Sequence, residues 1–423
     1  MNEIIPARHL TAEVSLPGSK SYTNRALIIA ALADGTSKLT NVLKSDDTRA
    51  MADAIRAFDI QVEEDDVSYT VHGKSGKLTA PQSPIDMQHS GTGARLVCAL
   101  AALAPGRTVV TGSARLQERP FGELINGLQQ LGGTLSSINQ TGSVPVAIEG
   151  GSLPGGTCTI NGTVSSQFFT ALLLIAPYAE RDVCITVTGE QTSKPYIDLT
   201  IDIMNSFGVQ VHNHDYQRYE VIANQRYHGQ AYTVECDASS ASYFMAIAAL
   251  TQSTIRINGF NPQSIQGDAD FALVMESMGC RITRGETWIE ISGPDELQAI
   301  EKEMNRMPDT VQTLAVVAAC AKGITKITNV ANLRVKETDR LQATTAELRK
   351  TGIQVEELDD GLIIHGGESH AAEIETYNDH RMAMAFACLG TNTSGIRIKN
   401  PEVVTKSFPD FWKKLADIDI KVK

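Results

Sequence analysis

Two basic residues stand where apolar helices should begin: Lys20 in Ser19-Lys20-Ser21, and Arg381 in Asn378-Asp379-His380-Arg381. A cation in the first turn opposes the helix macrodipole, at roughly 0.3–1 kcal/mol. The placement becomes favourable when an anion sits between that cation and the open backbone N–H groups, so phosphate or carboxylate binding is the chemistry implied. Other helix starts read Ser90-Gly91-Thr92-Gly93, Ser165-Ser166-Gln167, Ser239-Ser240 and Pro308-Asp309-Thr310. Ser, Asp, Asn and Gly are cap residues, and plain capping is the simpler reading of Ser239, Ser240, Asp309 and Asp379. Further cations are Arg119 in Gln117-Glu118-Arg119-Pro120, Lys336 and Arg340 in Val335-Lys336-Glu337-Thr338-Asp339-Arg340, and Lys406 in Thr405-Lys406-Ser407. By charge pattern alone, Lys336 to Arg340 is a solvated helix face with Glu337 and Arg340 paired at i,i+3, and Lys406 an ordinary loop lysine. Leu16-Pro17-Gly18-Ser19-Lys20-Ser21 is not a nucleotide-binding P-loop, because Ser19 precedes the lysine where that loop needs glycine.

The elements that carry these residues recur. Six β-branched runs end in Asn or Gly, at Asn41, Gly112, Gly189, Gly259, Asn329 and Asn400, about seventy residues apart. A second marker keeps the same phase: an amphipathic helix closes on Asp or Gly before a short strand, at Asp59, Gly132, Gly208, Gly279, Gly352 and Asp419. Each unit also opens with a helix that is apolar on all sides, such as Ala26 to Leu32 or Leu314 to Ala319, which its own domain must enclose. Six βαβ-type units in one chain suggest two domains of three, with sheets covering a helical centre.

Composition narrows the class. The chain has 423 residues, 42% hydrophobic and 20% charged, as in a soluble globular protein. Its net charge of −12 argues against a nucleic acid or an acidic membrane as general partner. The longest apolar stretch, from Phe168 to Pro177, is too short to span a bilayer. Met1-Asn2-Glu3 starts no export or transit signal, and seven dispersed cysteines fit reduced thiols, so a cytoplasmic location is expected.

Taken together, the motifs resemble those of the 5-enolpyruvylshikimate-3-phosphate synthase family, the 3-phosphoshikimate 1-carboxyvinyltransferases. The likeness runs from Leu16 to Pro409. It includes LPGSKSYTNRALIIAALADG from Leu16, SDDT from Ser45, SGTGAR from Ser90, QERPFG from Gln117, VSSQF from Val164 and SKPYIDLT from Ser193. It continues with DASSASYF from Asp237, RMPDT from Arg306, NLRVKETDRL from Asn332, YNDHRMAM from Tyr377 and TKSFPDF from Thr405. The resemblance implies an α/β (α+β) fold: a two-domain inside-out α/β barrel, each domain three βαβαββ repeats around buried parallel helices. It implies one domain of residues 19–237 and another of 1–18 plus 238–423, with crossovers near 17–19 and 236–238.

It also implies the reaction. Shikimate 3-phosphate and phosphoenolpyruvate join through a tetrahedral intermediate that expels phosphate, without cofactor or metal. By the same resemblance, phosphoenolpyruvate is held by Lys20, Gly91, Arg119, Gln167, Arg340, Arg381 and Lys406. Shikimate 3-phosphate is held by Lys20, Ser21, Arg25, Ser165, Ser166, Gln167, Ser193, Tyr196, Asp309, Asn332 and Lys336. The catalytic residues are Asp309, Glu337 and Lys20, and which of them moves each proton stays open. Tyr196 reads equally as an ordinary half-buried tyrosine. The family further implies a monomer and inhibition by glyphosate, while repulsion among cations split between two domains predicts an open form that closes on anionic ligands.

Two positions depart from the family pattern: His89, where Asn is usual, and Leu96, where Pro is frequent. The first alters a hydrogen bond near the phosphate pocket or adds pH dependence there. The second changes the setting of the helix that starts at Gly91, and both bear on glyphosate sensitivity. The nearest rival, UDP-N-acetylglucosamine enolpyruvyl transferase, usually carries a catalytic cysteine on the loop that here reads Ser113 to Glu118, and this chain has none between Cys98 and Cys158. A catalytically silent anion-binding scaffold would not need Asp309, Glu337 and five cations together.

Overall fold

A computed structural model describes residues 1–423. The chain divides into two units, residues 18–234 and residues 1–17 with 235–423. Each has its own hydrophobic core.

In the 18–234 unit three helices are buried almost throughout: Lys20–Leu32, Gly91–Ala101 and Ser166–Ile175. They pack on one another. Alanine, leucine and isoleucine on every side leave them no solvent face, as their composition requires. Three four-stranded sheets lie against them. In two of them the strand before the buried helix pairs parallel with the strand after it, and two antiparallel strands complete the ladder. Ile85–Asp86 beside Gly106–Thr111, followed by Val146–Gly150 and Thr134–Ser137, is one example. In the first sheet the parallel edge strand is supplied from the unit's far end, by Ala231–Thr233 against Asp34–Thr40.

The other unit repeats the plan with buried helices Ala238–Thr251, Val311–Ala318 and His380–Gly390. The chain's first residues complete two of its sheets. Thr11–Ser15 pairs parallel with Thr254–Asn258, and Asn2–Glu3 pairs antiparallel with Ile396–Ile398.

The expected inside-out barrel is not formed. There are six separate open sheets, five of four strands and one of three, each with two free edges in its strand order. The physical reason is that every ladder stops at three or four strands. No strand pairs across to the next sheet, so nothing closes a hydrogen-bonded ring.

Both repeat markers have a backbone cause. The residue closing each amphipathic helix is left-handed: Asp59 (φ 62°), Gly132 (89°), Gly208 (92°), Gly279 (102°), Gly352 (85°) and Asp419 (63°). In five repeats the next N–H reaches back five residues, as Cys280 does to the Met275 carbonyl, which satisfies carbonyls the helix leaves open. At the strand-end marker Asn41, Gly189, Gly259, Asn329 and Asn400 are also left-handed. Gly112 is not; its Cβ position is taken by Leu116 and the Gln88 carbonyl, so glycine serves there for close packing.

Candidate active site

The buried helices of each unit start at the same end. In the 18–234 unit, Arg95 near the start of one bonds Gln167 in the first turn of another (2.6 Å), and Arg25 bonds Thr170 (3.1 Å). In the other unit, Ser242 meets Thr313 (3.3 Å) and Arg381 meets Tyr243 (3.3 Å). Three roughly parallel helices therefore present their positive ends to one polar face, an electrostatic setting suited to anions.

The 18–234 unit places Lys20, Ser21, Arg25, Gly91, Arg119, Ser165, Ser166, Gln167, Ser193 and Tyr196. Lys20 is the first helical residue; Ser19 before it gives no side-chain cap, and Lys20 Nζ lies 3.6 Å from Asp47 Oδ2. Ser165 caps its helix by accepting from the Gln167 N–H (3.2 Å). Ser193 is a left-handed non-glycine residue (φ 55°, ψ 44°) just before helix Lys194–Ser206, and such strain tends to gather at functional positions. Tyr196 is half-buried. Arg25 is buried, and its guanidinium donates to Thr200 Oγ1 (2.8 Å), the Ser21 carbonyl (2.9 Å), Thr170 Oγ1 and the Tyr196 carbonyl (3.2 Å). Burial lowers its pKa to about 10, partly offset by Tyr196 and Tyr22, so it remains a cation at neutral pH. Arg119 is buried beside Gly91, where an added methyl would collide with the guanidinium.

The other unit holds Asp309, Asn332, Lys336, Glu337, Arg340, Arg381 and Lys406. Lys406 Nζ donates to Glu337 Oε1 (2.5 Å), and Arg340 Nη2 to Glu337 Oε2 (2.9 Å). Asp309 then accepts from Arg340 Nη1 (3.0 Å) and from Arg381 Nη2 (2.6 Å). Behind them Asp379, fully buried, accepts from Arg340 Nε (2.7 Å) while capping the Arg381 N–H (2.9 Å). Lysine and guanidinium thus alternate with carboxylates along one line. Burial alone would lower the Arg340 pKa, but Asp379, Glu337 and Asp309 outweigh it and the net shift is upward. Asn332 is buried and Lys336 half-buried beside this line in sequence.

Two simpler readings of the sequence are corrected here. Arg340 is 2% exposed, not on a solvated face, and Lys406 is 6% exposed, not an ordinary loop lysine. Glu337 and Arg340 do pair at i,i+3, as the charge pattern has it, but the further partners of Arg340 and Lys406 lie 31 to 69 residues away, beyond what that pattern reports. Ser239 and Ser240 are not caps either: Asp237 caps that helix by accepting from the Ser240 N–H (3.0 Å). Asp379 does cap, and also anchors Arg340.

Sequence reasoning passed over several residues. Asp47 lay within the SDDT motif but drew no role. Asp268 is buried and accepts from Ser239 Oγ; burial, then the nearby Asp309, push its carboxyl up to about 7 against Arg381. Arg95 had been quoted only as part of a motif. Of the departures, His89 is exposed and its Nδ1 meets Ser113 Oγ (2.9 Å), while Leu96 is buried in the core.

Comparison with known proteins follows the same lines. A family model described as EPSP synthase (3-phosphoshikimate 1-carboxyvinyltransferase) matches residues 4–415. The 3-phosphoshikimate 1-carboxyvinyltransferase of Sulfurovum sp. (strain NBC37-1) is 43% identical over 426 residues, covering 99% of each chain. That of Serratia proteamaculans (strain 568) is 44% identical over 419 residues, covering 98% of this chain and 97% of the relative. Among solved structures, the 2.37 Å EPSP synthase from Acinetobacter baumannii superposes with a TM-score of 0.84 at 29% identity, covering 100% of this chain and 99% of the other.

Proposed function

Because the chain belongs to the EPSP synthase (3-phosphoshikimate 1-carboxyvinyltransferase) family, we propose that its two polar helix faces hold the two anionic substrates of that reaction. The enzyme transfers the enolpyruvyl group of phosphoenolpyruvate to the 5-hydroxyl of shikimate 3-phosphate, in the shikimate pathway of aromatic amino-acid biosynthesis. The hydroxyl gives up its proton to a base of the site while its oxygen bonds to C2 of the enol and C3 takes a proton. The C2–O bond to phosphate then breaks as C3 returns a proton, giving the enolpyruvyl ether and inorganic phosphate.

In this reading Lys20, Gly91, Arg119, Gln167, Arg340, Arg381 and Lys406 serve phosphoenolpyruvate. Ser21, Arg25, Ser165, Ser166, Ser193, Tyr196, Asp309, Asn332 and Lys336 serve shikimate 3-phosphate, with Lys20 and Gln167 shared. Asp309 orients or deprotonates the attacking hydroxyl, a base role that Lys20 can share. Glu337, set between Lys406 and Arg340, delivers and recovers the C3 proton, and Lys20 assists. The observation that carries these roles is the alternating line from Lys406 through Glu337, Arg340 and Asp309 to Arg381. No helix is long and apolar enough to cross a membrane; the cytoplasmic location, the monomeric state and glyphosate inhibition belong to the proposal. Phosphate release from phosphoenolpyruvate is the test. Turnover is expected with shikimate 3-phosphate and not with UDP-N-acetylglucosamine; the reverse result would overturn the assignment.

A further inference from the structure

Arg95 has no place in the reaction as written, yet it is 2% exposed and joins three elements that carry proposed ligands. Nη1 donates to Gln167 Oε1 (2.6 Å) and to the Gly91 carbonyl (3.3 Å). Nη2 donates to the carbonyl of Pro120 (2.7 Å), the residue after Arg119. Its plane lies near the rings of Phe121 (4.7 Å) and Phe168 (5.2 Å), whose faces favour a cation. A guanidinium has only donors, so whichever amide atom of Gln167 faces it must be the oxygen. The Gln167 amide nitrogen is thereby turned away from Arg95, and Gln167 itself is only half-buried. An anion meets two N–H donors there rather than a repelling carbonyl.

We propose that Arg95 is a positioning residue that fixes the orientation of the Gln167 amide, making Gln167 an obligatory donor to an anionic substrate, while it anchors the Pro120 carbonyl next to Arg119. This rests on the assignment of Gln167 and Arg119 as substrate ligands. Loss of a hydrogen bond to a charged group corresponds to about 10- to 100-fold in kcat/KM.

The test is steady-state kinetics on Gln167→Ala, Arg95→Lys, Arg95→Ala and the double variant Arg95→Ala/Gln167→Ala, with each substrate varied in turn. The Arg95 variants should lower kcat/KM for the same substrate as Gln167→Ala does. The double variant should be no worse than about threefold below the worse single one, because the two residues act as one. Multiplied losses in the double variant, or Arg95 variants with wild-type kinetics while Gln167→Ala is impaired, would overturn the inference. If Gln167→Ala is itself unimpaired, the ligand assignment fails instead. Should Arg95→Ala not fold, Arg95→Lys paired with Gln167→Ala reads the same coupling, with melting temperature as the control.

Discussion

Glu337 occupies the most telling position among single residues, its two oxygens split between Lys406 and Arg340. Glu337→Gln keeps the shape and removes the proton carrier, so kcat should fall by about 10²- to 10⁴-fold. Unchanged turnover in a phosphate-release assay would exclude it from proton transfer. Gly91→Ala should raise the KM for phosphoenolpyruvate, since the new methyl displaces the Arg119 guanidinium. Asp268 yields a pH prediction. Its ordinary carboxyl pKa of 3.8 rises to about 7 in the folded chain, where Ser239, Asp237, Asp309 and Arg381 surround it. Below about pH 4 it is protonated in both states. Between 4 and 7 the unfolded chain releases the proton while the folded one keeps it, so stability falls as pH rises through that window. Asp268→Asn should flatten this slope and melt higher than the wild type at pH 8. Parallel melting curves against pH for the two proteins would show that Asp268 is not the group responsible.

Secondary-structure elements were the most legible level. All-apolar runs named the six buried helices because no solvent face was available to them, and Asp or Gly at each helix end named the left-handed caps. That mechanism predicts opposite effects for two substitutions. Asp419→Gly relieves a left-handed Asp and should stabilise by about 1 kcal/mol, whereas Gly352→Ala should cost about as much. Urea titration of both variants measures it, and a shared sign would refute the capping explanation. What the sequence concealed was tertiary. The pairing of Arg340 with Asp379, 39 residues on, cannot be seen in local charge spacing. The candidate cations and the carboxylates Asp309 and Glu337 were recognisable by motif, but the pairing of Asp309 with Arg340 and Arg381, and the Arg95 clasp on Gln167, exist only once the helices converge. Sheet closure, an expectation taken from the resemblance, failed because each ladder stops at three or four strands with both edges free.

For the whole molecule, residues 1–17 matter more than their length suggests. They supply an edge strand to each of two sheets in the unit built from residues 235–423. Their removal should strip hydrogen-exchange protection from Thr254–Asn258 and Ile396–Ile398 while residues 18–234 keep theirs, since the latter unit has its own core. Equal loss in both would mean the cores are not separate.

That opening stretch also sets a schedule for synthesis. On a ribosome adding roughly 5–20 residues per second, Asn2–Glu3 leaves the exit tunnel long before its mate, Ile396–Ile398, has been made. In the meantime the intervening 18–234 portion has all its own strands and can mature. The later-made unit is thus sealed by an earlier-made strand, and a nascent chain stalled before residue 396 would carry one finished unit and one that cannot be completed.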